Sequence, residues 1–210
     1  MSMGHGTPCP TIQHGKISGL PMRYEPERHH RRSIRLKGYD YRQAGAYFIT
    51  LVTQNRAGLF GEVVDGEMRL NAYGEIVRDC WLSIPEHFPR VLLDAFVVMP
   101  NHVHGIIVLS DTRAAGTRRG ALQQPPETEQ FSKPVAGSIP TIVRSFKSAV
   151  TKRINEHRGA PGTPVWQRNY HEHIIRNEDD FEAIRHYILT NPLHWHQDHE
   201  NPHSTADSSV

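Results

Sequence analysis

Two histidines one residue apart, His102 and His104, lie inside the strongest β-forming run of the chain, AFVVMPNHVHGIIVL at 95–109. Phe96, Val97, Val98 and Met99 make one apolar run, Pro100 and Asn101 break it, and 102–109 resumes it, the pattern of two strands joined by a tight turn. Side chains alternate across a strand, so His102 and His104 share one face while Val103 points to the other. Neutral imidazole is a good ligand for divalent ions, and residues two apart on a strand are roughly 6–7 Å apart at Cα, close enough to converge on one ion. Two ligands do not complete a site, and in a chain with 15 histidines the same pattern also describes the polar face of an ordinary antiparallel sheet. A second pair, His171 and His173, lies within VWQRNYHEHIIR at 165–176, which reads as a short strand. It ranks lower because its stretch is polar and edge-like, whereas a long apolar strand holds its ligands rigidly.

A different chemistry is offered by the helix expected over 177–191. Asn177 caps it, Asp180 takes the reciprocal third position, and Phe181, Ile184 and Ile188 supply the buried stripe. Tyr187 lies beside that stripe and Asn191 follows four residues later on the same face. Pro192 disfavours helical geometry at the residue before it, which puts Asn191 at the helix end with its side-chain oxygen free to face outward to a partner. The helix therefore presents a phenol and an amide oxygen side by side.

The elements that must hold these groups follow from periodicity. AYFITLVTQ at 46–54 has the composition of a central strand. A weaker strand pair, 59–64 and 68–70, is joined by Asp65-Gly66, a good hairpin turn. Asn71 can cap a helix through about His87, with Ile76, Val77, Cys80, Trp81 and Ile84 on one apolar face. A further helix is expected over 140–158, with Pro140 in its first turn and Gly159 at its end. Ile142, Val143, Phe146, Ala149, Val150 and Ile154 form its buried stripe; Arg144, Lys147, Ser148, Thr151 and Asn155 form an outer face that is either a solvated surface or, beside a nucleic acid, a phosphate clamp.

Composition bounds the setting. A chain of 210 residues makes one domain of ordinary size with some surplus, and 37% hydrophobic residues place that surplus in polar tails or loops. No apolar run approaches the roughly 18 residues needed to cross a bilayer and 1–21 lacks a signal-peptide core, so a soluble, cytoplasmic protein is expected. Cys9 and Cys80 are far apart in unlike contexts and indicate neither a disulfide framework nor a cysteine zinc site. Net charge is only +2, yet the first 37 residues hold seven Lys and Arg against two Glu, a surplus of +5. The first 22 residues, rich in Gly, Pro and Ser, lack periodicity and are expected to be disordered. The basic patch RHHRRSIRLKG at 28–38 is either a contact to nucleic-acid phosphates or a solubilising arm. Between 111 and 138, Ala, Gly, Thr, Gln and Pro dominate around Arg113, Arg118 and Arg119, which reads as a flexible insertion next to the site.

Four ordered motifs, MPNHVHG at 99–105, SFKS at 145–148, WQRNYHEH at 166–173 and HYILTNP at 186–192, resemble those of the REP-associated tyrosine transposases, single-tyrosine members of the HUH endonuclease superfamily. The likeness covers roughly 39–195, and four motifs in order are far more specific than any one alone. It implies an α+β, ferredoxin-like antiparallel sheet that carries the histidine pair, with helices packed on one face and the nucleophile helix laid against the site. The chain then divides into a basic, partly disordered arm at 1–38, a catalytic domain at 39–197 with the insertion at 111–138, and a polar tail at 198–210. By the family pattern His102 and His104 are metal ligands, Asn191 is the third, polar ligand, and Tyr187 is the nucleophile. Tyr170 is the rival tyrosine, but it has no ligand spaced four residues on. The implied cofactor is Mg²⁺ or Mn²⁺. The implied partner is single-stranded or hairpin DNA, met by Arg31, Arg32, Arg35, Lys37, Arg144, Lys147 and Arg168, with no membrane and a monomer or homodimer as the working unit. The implied reaction is metal-dependent cleavage and rejoining through a 5′-phosphotyrosine. A hydrolase in which water attacks and a DNA-binding protein that has lost catalysis are the alternatives.

Overall fold

Gly45–Val52 forms β1, an interior strand whose alternation sends Tyr47, Ile49 and Leu51 to one face and Phe48 and Thr50 to the other. The computed structural model describes residues 39–111 and 135–204. The basic arm with Arg31, Arg32, Arg35 and Lys37, and most of the expected insertion, lie outside the described residues. Beside β1 stand β4 (Val91–Val98), β5 (His102–Leu109) and β6 (His171–Ile175) in the order β4-β5-β1-β6, with every neighbouring pair antiparallel. A separate hairpin, β2 (Gly61–Val64) and β3 (Glu67–Leu70), turns through Asp65 and Gly66, whose φ values of 54° and 78° suit the mirror-image turn expected there.

The connections are helical. Residues Ala72–Leu82 form α1, the short α2 is Ile84–His87, α3 is Ile139–His157, and α4 is Glu178–Thr190. Leaving aside the hairpin, α2 and the final α4, the chain runs strand, helix, strand, strand, helix, strand, and the order in the sheet is second, third, first, fourth. This is the ferredoxin-like α+β arrangement the motifs implied.

Two apolar layers hold it together. Tyr47, Ile49, Leu51, Val103, Ile107 and Leu109 pack under Val77 and Trp81 of α1 and under Ile142, Phe146 and Val150 of α3. Full burial of each such side chain contributes about 1.5–3 kcal/mol relative to exposure. On the opposite face the layer is smaller: Phe48, Ile106 and Ile175 meet Ile184 and Ile188 of α4. The helices α1 and α3 thus cover one face, and α4 lies across the histidine-bearing one.

The helix expected from 71 to 87 breaks at Ser83. Pro85 has no N–H to donate and its ring crowds the carbonyl four residues back, that of Trp81, so α1 stops and α2 restarts one residue later. Asn71 caps α1 as expected, accepting from the backbone N–H of Tyr73 and Gly74. The strand expected over 165–176 is shorter: only His171–Ile175 joins the sheet, while Trp166 makes a lone bridge to Thr53. Among the described residues, no helix is long and apolar enough to cross a membrane.

Candidate metal centre and tyrosine

The site is built by register. Within the sheet Val52 stands opposite His102 and Thr50 opposite His104, and Thr50 is also opposite His171 on the other side. The tight turn 99–101 brings β5 back against β4 and buries both histidines, which are 0% and 2% exposed. Their rings meet at 4.4 Å between centroids. Thr50 Oγ1 is 2.9 Å from His104 Nδ1, and Asn101 Oδ1 is 2.8 Å from His102 Nδ1, so both rings are held from behind and turn Nε2 towards α4.

Helix α4 supplies the phenol. Asn177 caps its start by accepting from the Asp180 N–H, while the Asp180 carboxylate reaches back to His173 Nε2 at 2.8 Å. Ile184 and Ile188 are buried against the sheet, and this rotation sets Tyr187 over the histidine face. Its hydroxyl is 3.3 Å from His104 Nε2, and its ring packs edge-on to Phe48.

Asn191 follows at the end of α4, where Pro192 begins a 3-10 segment, Asn191–Gln197. The expected outward-facing amide is in fact buried, 2% exposed, because the segment after it folds back over the site. Its Nδ2 donates to Asp198 Oδ2 at 2.9 Å, leaving Oδ1 buried without a hydrogen-bond partner. His102 Nε2 is likewise buried and unpartnered, 3.9 Å from Asp198 Oδ2. Leaving a buried polar group unpaired costs about 1–3 kcal/mol. With the His102 proton on Nδ1, both atoms are acceptors and could face a cation.

Asp198 is the residue that sequence reasoning missed, since it lies where the polar tail was expected to start. Its carboxylate, His102 and His104 place one ligand atom each within 4.8 Å of one another. Two imidazole nitrogens, one carboxylate oxygen and the Asn191 amide oxygen, with no thiolate among them, form a donor set that could hold a divalent metal ion. Electrostatics keep the imidazoles available. Burial pushes the His102 pKa below the ordinary histidine value against the pull of Asp198 and Glu200, and burial with the neighbouring His102, His199 and His171 pushes the His104 pKa well below it too. Glu200, also buried, has its carboxyl held well below the usual range: burial works against ionisation, but hydrogen bonds from His199 and Arg56 prevail.

The remaining expected residues divide. Arg144 and Arg168 are exposed. Lys147, expected on a DNA-facing surface, instead turns inward and donates to the carbonyls of Gln167, Arg168 and Asn169. The physical reason is that residues 167–169, just before β6, bring three backbone carbonyls within reach of one ammonium. His171 is exposed, and His173 pairs with Asp180, so the second histidine pair is not brought together on one ion.

Fold and site together define a ferredoxin-like domain with a buried two-histidine, carboxylate and amide cluster facing a tyrosine. The chain belongs to one family with an uncharacterised protein of Haemophilus influenzae (strain Rd), to which it is 44% identical over 179 residues, 85% of this chain and 97% of that protein. It is also similar to a protein of the same organism named "Putative REP-associated tyrosine transposase", 26% identical over 154 residues and covering 73% of each chain. The resemblance to REP-associated tyrosine transposases carried by the four motifs is therefore found over most of the chain. Among solved structures, one of a REP-associated tyrosine transposase bound to a REP hairpin is similar with 22% identity and a TM-score of 0.44, covering 76% of this chain and 72% of that one. A putative transposase of Deinococcus radiodurans R1 is similar with 21% identity and a TM-score of 0.40, covering 74% and 96%. No protein-family model matches the chain.

Proposed function

We propose that this protein is a transposase-like enzyme that cuts and rejoins single-stranded DNA beside hairpins, with Tyr187 as nucleophile. The observation that carries the reading is the 3.3 Å approach of the Tyr187 hydroxyl to His104 Nε2, where the unpartnered atoms of His102 and Asn191 also gather. A phenol titrates near 10 and is a poor nucleophile at neutral pH, so it needs positive charge close by. A bound Mg²⁺ or Mn²⁺, held by His102, His104 and Asn191 with Asp198 beside them, would polarise the phosphate and stabilise the charge that develops in transfer.

Tyr187 then attacks phosphorus in line. A phenolic O–P bond forms, the P–O3′ bond breaks, the phenol gives up its proton, and the departing oxygen takes one to become a 3′-OH. The resulting 5′-phosphotyrosine retains the energy of the broken bond, so attack by a 3′-OH reverses the step and joins strands. Phe48 stacks on the His104 ring and packs against Tyr187, which fixes the angle between them and shields one side of the phenol from water. Exposed Arg144 and Arg168 are suited to phosphate contacts, as are Arg31, Arg32, Arg35 and Lys37 of the arm. The working unit is a monomer or a homodimer. The chemistry involves only soluble partners, consistent with action in the cytoplasm.

The test is a denaturing gel after incubation of the protein, Mn²⁺ and single-stranded hairpin DNA from the flanks of its own gene. A covalent protein-DNA band that Tyr187→Phe loses supports the reading. Cleavage without such a band would mean that water attacks, and binding without cleavage would leave a DNA-binding protein.

A further inference from the structure

We propose that Asn101 is a positioning residue of the metal site: its amide holds His102 in the Nδ1–H form and ties residues 198–200 down beside it. The inference rests on the reading of His102 as a ligand, and it concerns a buried residue outside the cluster of possible ligands.

Asn101 is 1% exposed, so its amide must be satisfied by protein groups. One end of the amide lies 2.7 Å from the Glu200 carbonyl oxygen and 3.2 Å from the Arg56 carbonyl oxygen. Neither carbonyl can donate, so that end is the nitrogen, and its two N–H groups are both used. The other end is then the oxygen, 2.8 Å from His102 Nδ1, and an amide oxygen can only accept. His102 therefore carries its proton on Nδ1 and its lone pair on Nε2, the atom left buried without a partner. A ligating histidine needs this: the far nitrogen donates to a fixed acceptor and the near one is free for the ion.

The nitrogen end reaches further. Holding the Glu200 carbonyl places the Glu200 N–H, which donates to Asp198 Oδ1 at 2.7 Å, and Asp198 Oδ2 in turn accepts from Asn191 Nδ2 at 2.9 Å. That last bond turns the Asn191 oxygen towards His102. Arg56 closes the circuit from the other side through its Nε to Glu200 Oε2, 2.8 Å. One amide thus orients a nitrogen ligand directly and an oxygen ligand through three bonds.

Two variants separate the two ends of the amide. Asn101→Leu removes both ends at similar volume; Asn101→Asp keeps the acceptor and loses the donor. In the metal-free wild-type protein, ¹H–¹⁵N spectra of labelled histidine should show His102 protonated at Nδ1. Titration with Mn²⁺ alone should give an affinity roughly 10- to 100-fold weaker in Asn101→Leu, the usual cost of losing such a partner. Asn101→Asp should keep the Nδ1–H signature while amide exchange quickens at 198–200. A wild-type His102 protonated at Nε2 overturns the proposal, as does an Asn101→Leu protein that binds Mn²⁺ within about twofold of wild type. Should Asn101→Leu fail to fold, the wild-type spectrum and Asn101→Asp still decide. A wild-type protein that binds no Mn²⁺ sinks the metal reading instead, and the spectrum alone then judges Asn101.

Discussion

The hydroxyl of Tyr187 on α4 lies 3.3 Å from Nε2 of His104 on β5, although 83 residues separate them in the chain. The contact joins the apolar strand that buries the histidines to the helix that carries the phenol, and it makes one atom of Tyr187 separable from the rest. Tyr187→Phe keeps the ring packing against Phe48 and His104, so the expected loss of stability is no more than about 1 kcal/mol. Covalent adduct formation should vanish while hairpin binding stays within a factor of a few. Adduct formed by Tyr187→Phe at the normal rate would move the nucleophile elsewhere, with Tyr170 next in line.

His102→Ala and His104→Ala should each abolish Mn²⁺-dependent cleavage, and Asp198→Asn should weaken Mn²⁺ binding, since each removes or neutralises a group of the cluster. His171→Ala should cost less, because His171 is exposed at the edge strand and its cross-strand neighbour Thr50 stands between it and His104. Calorimetric Mn²⁺ titrations of the four variants provide the check. Equal loss of cleavage at His171 with full Mn²⁺ binding at the others would assign the wrong pair to the metal.

The parts of the site that a reader of the sequence can find are those written in local periodicity. Alternation in β5 puts His102 and His104 on one face, and the Asn177 cap with Ile184 and Ile188 sets the rotation of α4 that exposes Tyr187. Asp198 and Glu200 could not be found this way. Neither lies on a periodic element, and their burial depends on Asn101 and Arg56, about a hundred residues away or more, which no local window sees. The inward turn of Lys147 has the same origin: an amphipathic pattern assigns it to an outer face, and only the path of 167–169 past α3 reveals three carbonyls in reach. Pro85, by contrast, was a visible reason to end α1 early, and the apolar spacing across it masked the break.

Gly105 follows His104 directly and faces the other layer, where a Cβ would collide with the Trp81 ring. Strand β5 can lie this close to α1 only because the position is a glycine. Gly105→Ala should destabilise the fold by about 1–3 kcal/mol through overpacking, read as a lowered urea midpoint at unchanged slope. Combining it with Trp81→Phe, which removes part of the obstructing ring, should recover some of that loss. A Gly105→Ala protein as stable as wild type would show that Trp81 shifts freely and that the layer is loosely packed.

Acid should destabilise the metal-free protein in a defined direction. Burial lowers the pKa of both His102 and His104 in the folded chain, whereas in the unfolded chain they take up protons below about 6.5. The unfolded state then binds more protons, so unfolding free energy falls as pH drops from about 6.5 towards the lowered folded-state values, by at most ~1.4 kcal/mol per pH unit for each histidine. Above that window the two rings add no pH dependence. Urea melts at several pH values between 4.5 and 7.5 check this, with His104→Ala as the comparison. A wild-type slope no steeper than that of the variant would mean that His104 is not held neutral.

The basic arm makes a prediction that depends on DNA and on nothing in the metal centre. Seven Lys and Arg against two Glu in the first 37 residues suit an arm laid along phosphates, and each phosphate it neutralises releases condensed counterions. Deleting 1–37 should therefore weaken hairpin binding and flatten its salt dependence, lowering the slope of log affinity against log salt by about 0.7–0.9 for every phosphate the arm would otherwise neutralise. Cleavage at saturating DNA should persist, because Tyr187 and the His102 cluster are complete without the arm. Circular dichroism separates the other outcome: a truncated protein that loses its fold would make the arm an ordered part of the domain. In a well-folded truncation, an unchanged salt slope between two salt concentrations would reduce the arm to a solubilising tail.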